Sequence, residues 1–378
     1  MEKDFEKKRF MKIFGIYLVV LFAFVAVRLG AAYGLFSKIE NEIAVDAIST
    51  AIIQIGIMFL IPLVLYIVFF RRSAKKTFSD FGFKRIGIKA VLVCVLIGIL
   101  GFIINLYAST FFSIILSRLG YSFSGGAGGY EYDSIPKFLF GVLSVAILPG
   151  ICEEFAHRGL LLQGTRKVWG YKTAIIISSI FFGLMHLNIQ QFFFATVLGI
   201  LMASTDISAK SIYPSIIMHF MNNFINVFLS FGQSKGFIKF SISSLLTAIY
   251  DTNIILFLLF VTVILFGCLV AFIYLIKLLH KISLQNQKEQ AHECELKTEN
   301  ATSDQVVLNN EINVITEEKQ EKKRNPKTVN EWIEKYIAPS DSKKLNVSFV
   351  EKIPFILCLF MATLITVFTF IWGVVWWR

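Results

Sequence analysis

The chain is short of what builds a disulfide scaffold, a thiolate metal site or a water-facing surface. Its five cysteines (Cys94, Cys152, Cys268, Cys294 and Cys358) are scattered, with no CxxC pair. Four of them lie inside apolar runs, where a thiol behaves as a small hydrophobe, so neither a disulfide framework nor a structural zinc site is indicated. Charged residues make up only 17% of the 378, too few to hydrate an ordinary soluble domain. There is no GxSxG elbow, and no apolar run carries HExxH, since His292-Glu293 has no second histidine behind it. Serine-hydrolase and zincin chemistry lose ground accordingly. No internal repeat of useful strength stands out.

What is present is apolar. Hydrophobic residues reach 56% and aromatics 15%, with 39 phenylalanines, and the mean hydropathy is +0.67. The bilayer is the expected solvent, and the expected fold class is all-α, a polytopic transmembrane helix bundle. The net charge of +11 does not point to nucleic acid, because the Lys and Arg residues cluster in short segments beside apolar runs instead of forming a binding stripe. Membrane lipid is the expected surrounding.

A helix needs roughly 20 apolar residues to cross a ~30 Å hydrocarbon core. Runs of suitable length fall near 12–36, 46–70, 88–116 and 135–163. Tighter ones follow near 172–187, 189–205 and 211–232, then two more near 250–279 and 353–377, about nine spans in all. The first run is too long for a signal-peptide core and lacks a small-residue cleavage site, so it reads as a retained span. Basic residues recur at alternate connections: Lys7, Lys8 and Arg9; Arg71, Arg72, Lys75 and Lys76; Arg166 and Lys167; Lys210; Lys277 and Lys281. By the positive-inside rule the N-terminus is cytoplasmic, in a plasma membrane if the source is bacterial. The 235–239 loop is a mild exception.

Three units are expected: a bundle of eight helices over 1–282 with a catalytic core at 135–232, a charged cytoplasmic linker at 283–350, and a last transmembrane helix at 351–378. The linker is rich in Gln, Glu, Lys, Asn and Thr and buries too little apolar surface to order itself, so it reads as largely disordered. Within it, 329–337 has helical amphipathicity suited to resting on a membrane or a partner. The pair Trp376-Trp377 suits an interfacial belt.

An ionised side chain at the bilayer centre costs roughly 2.5–3.5 kcal/mol even on lenient scales, so its presence needs a reason. Three groups stand in the spans. In Pro149-Gly150-Ile151-Cys152-Glu153-Glu154-Phe155-Ala156-His157-Arg158, the proline is expected to kink or loosen the helix just before two carboxylates. Glu154 and Arg158, at i and i+4, share a face and neutralise each other, leaving Glu153 free for chemistry. His157 reads as an interfacial residue. Phe182-Gly183-Leu184-Met185-His186 ends the fifth run, and a lone histidine there is weak evidence. His219-Phe220-Met221-Asn222-Asn223 puts His219 and Asn223 on one face, as interhelical glue or as the lining of a polar cavity.

Together these groups suit water-mediated amide hydrolysis: a carboxylate near an imidazole as general base, a second imidazole and a carboxamide as oxyanion donors. Two histidines and a glutamate also suit a divalent metal such as zinc, and spacing does not separate the two.

The sequence resembles the CPBP family, the CAAX proteases and bacteriocin-processing proteins also called Abi. Its EExxxR, FxxxH and HxxxN/D motifs stand here as Glu153-Glu154 with Arg158, Phe182 with His186, and His219 with Asn223. The resemblance covers about 135–232 by motif and the body to about 280 by topology; the linker and last helix depart from the compact pattern. It implies an intramembrane glutamic endopeptidase without a cofactor, in which Glu153 and His186 activate water, His219 and Asn223 form an oxyanion hole, and Glu154, Arg158 and Phe182 support them. The implied substrate is a membrane-associated peptide or protein, prenylated or leader-bearing. The competing classes are a non-proteolytic scaffold or bacteriocin-immunity protein, and an ion- or proton-coupled transporter. Only one helix interruption, at Pro149-Gly150, favours the transporter, which usually repeats such a break in both halves.

Overall fold

Every apolar run becomes helix, because in hydrocarbon a backbone amide has no partner except within its own segment. The computed structural model describes residues 2–121, 132–239, 242–299, 329–336 and 345–375. In chain order the helices are α1 (Glu2–Ala32), α2 (Glu42–Phe70), α3 (Ala74–Asp80), α4 (Ile88–Arg118), α5 (Ile135–Leu184), α6 (Ile189–Ala209), α7 (Tyr213–Ser234), α8 (Ile242–Thr252), α9 (Ile254–Glu299), α10 (Val329–Tyr336) and α11 (Phe349–Val375). The fold is an all-α transmembrane bundle, and no strand occurs among the described residues.

Seven of these helices are long and apolar enough to cross a membrane, against the nine runs expected. The runs at 135–163 and 172–187 are parts of α5, which turns at Gly170, where φ is 78°. The run at 211–232 forms α7, whose apolar character is diluted by His219, Asn222, Asn223 and Asn226. α9 continues past 282 to Glu299. Parts of the linker, 300–328 and 337–344, lie outside the described residues, as do Trp376, Trp377 and residues 122–131 of the glycine-rich loop.

α10 does not await a separate surface. Trp332 packs beside Ile276 and Leu279 of α9, Ile333 packs beside Leu162 and Ala174 of α5, and Glu334 pairs with Lys172 at 3.4 Å.

The basic connections touch one another at one end of the bundle. Arg9 donates to the Tyr66 hydroxyl at 2.8 Å, Arg72 pairs with Asp80 at 3.4 Å, the Ser211 hydroxyl donates to the Lys84 carbonyl at 2.6 Å, and Leu345 N–H donates to the Val168 carbonyl at 2.8 Å. Below this end the core is aromatic, with Phe10, Phe14, Tyr17, Phe155 and Phe181 fully buried.

The helix does not break at Pro149. It widens to the π register over Val142–Ile147 just before the proline, and again over Phe155–Leu162. The same device precedes Pro62, where Ala51–Leu60 is π-helical. A π turn accommodates the donor that proline removes without interrupting the backbone ladder, and such turns often mark functional sites.

Candidate active site

Five helices, α1, α2, α4, α5 and α7, bring the polar side chains together. From Arg166 back to Glu153 along α5, and from Tyr213 on to Asn223 along α7, a rise of ~1.5 Å per residue puts both side chains roughly 15–20 Å from the basic end, inside the hydrocarbon. α5 and α7 approach closely because position 150 is glycine. A Cβ there would stand 3.3 Å from the Phe220 backbone nitrogen and 3.5 Å from the Ile216 carbonyl oxygen. Small residues at such crossings let helix backbones meet in lipid.

Glu154, His157 and Arg158 are fully buried. Glu154 is shared: Oε2 lies 3.1 Å from Arg158 Nε, and Oε1 lies 2.8 Å from His219 Nδ1. The arginine contact is an ion pair off hydrogen-bond alignment, and Arg158 also donates from Nη2 to the Gly199 carbonyl at 3.3 Å. Glu153 is half-buried, and its Oε1 accepts from Gln54 Nε2 of α2 at 2.9 Å. Its other oxygen makes no hydrogen bond among the described residues.

The histidine tautomers follow from their partners, since a carbonyl or carboxylate oxygen only accepts. His186 Nδ1 faces the Phe182 carbonyl at 2.9 Å, so that nitrogen carries the hydrogen and a neutral ring offers the Nε2 lone pair. His219 Nδ1 donates to Glu154, so Nε2 is its working end, and it donates from there only when protonated, with Glu154 as counter-ion. His157 is not interfacial as expected. Its Nδ1 donates to the Glu153 carbonyl at 2.7 Å, and its Nε2 accepts from the Tyr17 hydroxyl at 3.0 Å.

Phe182 is the common packing surface for these groups. The rings of His157, His186 and His219 stand nearly perpendicular to it at centroid distances of 5.2, 5.3 and 5.5 Å, and the Arg158 guanidinium lies 4.5 Å from its centroid. One rigid ring thus fixes three imidazoles and a cation.

The amides form a relay. Asn105 Nδ2 of α4 donates to Asn222 Oδ1 at 2.9 Å, Asn222 Nδ2 donates to Asn223 Oδ1 at 2.9 Å, and Asn223 Nδ2 donates to the Val145 carbonyl at 2.8 Å. Val145 lies in the π-helical turn just before Pro149. Asn223 thereby ties α7 to that turn and keeps its second amide hydrogen. Beside the relay, Asn226 helps line an apolar cavity of about 690 Å³ bounded by Phe102, Leu106, Leu229 and Phe237.

The structure therefore places Glu154, Arg158, Phe182, His186 and His219 in one contact network, Asn223 in a second, and Glu153 against Gln54, with no direct hydrogen bond or ion pair between Glu153 and His186. Sequence reading passed over Tyr17, Gln54, Asn105, Asn222 and the buried Asp206, whose Oδ1 accepts from Ser215 N–H at 2.8 Å and caps α7. The signal was available: each is a polar side chain in or beside an apolar run. Among the described residues, no three His, Cys, Asp or Glu side chains converge as a metal-binding set.

Residues 135–225 match the family described as Type II CAAX prenyl endopeptidase Rce1-like. The match spans 91 of the 378 residues, and over this segment the chain is similar to that family. The match contains all seven motif residues, from Glu153 to Asn223. No curated protein and no solved structure matches the chain. The matched family is one of CAAX-type proteases, which are hydrolases, and the seven apolar helices are those of a multi-pass integral membrane protein.

Proposed function

We propose that this protein is an intramembrane endopeptidase that cleaves a membrane-associated peptide or protein with a water activated by Glu153 and His186. The observation that carries this reading is the pair of unspent acceptors: one oxygen of Glu153 and Nε2 of His186 are each held from behind, by Gln54 and by the Phe182 carbonyl. A water between them meets two bases pre-oriented by protein contacts. The tetrahedral oxyanion is met by the free amide hydrogen of Asn223 and by Nε2–H of protonated His219. Glu154 holds His219 in place and is its counter-ion on protonation, and Arg158 balances the carboxylate.

Peptide hydrolysis here needs no metal. The carboxylate closest to a histidine is Glu154, and it is already engaged by Arg158 and His219, an arrangement that suits an organic acid–base site better than a ligand sphere. The apolar cavity beside Asn226 accommodates a hydrophobic portion of the substrate. The basic end of the bundle faces the cytoplasm, following the rule for Lys and Arg in short loops.

The test is cleavage of a library of membrane-embedded peptides by the purified full chain. Wild type cleaves, and Glu153→Ala and His219→Ala do not. A well-folded wild type that cleaves nothing would leave the polar network as a scaffold.

A further inference from the structure

A second polar site lies far from the catalytic groups, where α9 leaves the hydrocarbon. Counting ~20 residues for a 30 Å core from Ile254, the apolar part of α9 ends just before Lys277. Lys277, Lys281 and Lys288 then follow on one helix face, at i, i+4 and i+11. α10 docks against this face and contributes Lys335 and Tyr336. Between the two helices is a cavity of about 580 Å³ lined by Tyr274, Lys277, His280, Lys281, Lys288, Lys335 and Tyr336, among others, with no carboxylate in its lining.

Like charges at i, i+4 repel, and on α9 no ion pair with a described residue relieves Lys277, Lys281 or Lys288. The nearby Glu334 is engaged with Lys172 at 3.4 Å. Lys277 instead rests 5.9 Å from the ring centroids of both Trp332 and Tyr336, and His280 stands perpendicular to Tyr336 at 5.5 Å. Cations are thus gathered by two separate segments around a concave space sized for a small molecule rather than a monatomic ion. The tyrosines Tyr274 and Tyr336 bring hydroxyls that donate as well.

We infer that the α9–α10 cavity binds a phosphate-bearing anion, the headgroup of an anionic phospholipid or a free phosphate compound. Its place at the polar edge of the membrane gives a headgroup direct access, its ammonium groups supply point-charge donors to phosphate oxygens, and its occupant neutralises the lysines of α9 while meeting the side chains that α10 adds to the cavity. Each lysine near an anionic headgroup contributes about fivefold in affinity.

The full chain is reconstituted in membranes of phosphatidylcholine alone or of phosphatidylcholine with one quarter phosphatidylglycerol, extracted, and the retained phosphatidylglycerol counted by native mass spectrometry. Wild type retains phosphatidylglycerol in preference to phosphatidylcholine. Lys277→Gln/Lys281→Gln loses it by roughly 25-fold, Lys277→Arg/Lys281→Arg keeps it, and Lys75→Gln/Lys76→Gln, the same charge change on α3, leaves it unaltered. If the double glutamine variant does not fold, Lys288→Gln on the exposed flank serves alone, with a loss of about fivefold. In phosphatidylcholine-only membranes, a thermal shift produced by inorganic phosphate in wild type and not in the glutamine variant assigns the site to a free phosphate compound. Equal retention by wild type and the α9 variants with no phosphate-induced shift, or an equal loss in the α3 control, overturns the inference.

Discussion

Asn223 of α7 donates to the Val145 carbonyl at 2.8 Å, in the π-helical turn just before Pro149. A widened turn on one span thereby helps orient an amide on another. Pro149→Ala gives that turn a backbone N–H and favours its return to the α register. The expected outcome is a protein at least as stable as wild type, since proline in a helix interior costs about 3 kcal/mol, with kcat lowered about tenfold as the Asn223 amide loses its anchor. Thermal melting and steady-state cleavage on the same preparation check both halves.

Asn223 itself supplies the oxyanion donor in this account. Asn223→Ala should lower kcat by roughly 10²–10³ with little change in KM, the usual cost of deleting one such donor. Asn222→Ala acts through its neighbour, with a smaller loss in kcat and a stability cost of about 1–3 kcal/mol from the partners left unpaired. Comparable kcat for the two variants would assign the donor to another group.

The two adjacent glutamates should separate by their effect on folding. Glu154→Gln leaves Arg158 as an uncompensated buried cation and should cost about 3–5 kcal/mol, seen as lower abundance and melting temperature. Glu153→Gln keeps its contact with Gln54 and should be made at wild-type levels while losing activity. Equal abundance with equal loss of activity would contradict this division.

Five of the seven motif residues were legible because ionisable side chains are costly in lipid and stand out there, while Asn223 was read from its spacing to His219 and Phe182 from the family motif. Their division into networks was not legible. That Glu154 serves His219 as well as Arg158 depends on the α5–α7 crossing at Gly150, which no spacing within one helix reveals. His157 was misplaced for the same reason: its partner Tyr17 lies on α1, distant in sequence. The span count differed because the runs at 135–163 and 172–187 join in α5, which only turns at Gly170, and because α7 spends its apolar character on the site. α10 was legible as amphipathic, while the surface it covers is made by α5 and α9.

Tyr17→Phe isolates that long-range contact. It keeps the aromatic packing and removes the hydroxyl that His157 accepts from, so the expected cost is about 1–3 kcal/mol in stability, the penalty of an unpaired buried acceptor. A melting curve superimposable on wild type would show that His157 does not depend on α1.

The central claim is that Glu153 activates water without a metal. Its most direct test is cleavage of a membrane-embedded peptide by the full chain, wild type against Glu153→Gln, each with and without a strong chelator. The account predicts cleavage by wild type that the chelator leaves unchanged and that Glu153→Gln abolishes in a folded protein; cleavage stopped by the chelator and restored by added zinc would contradict it.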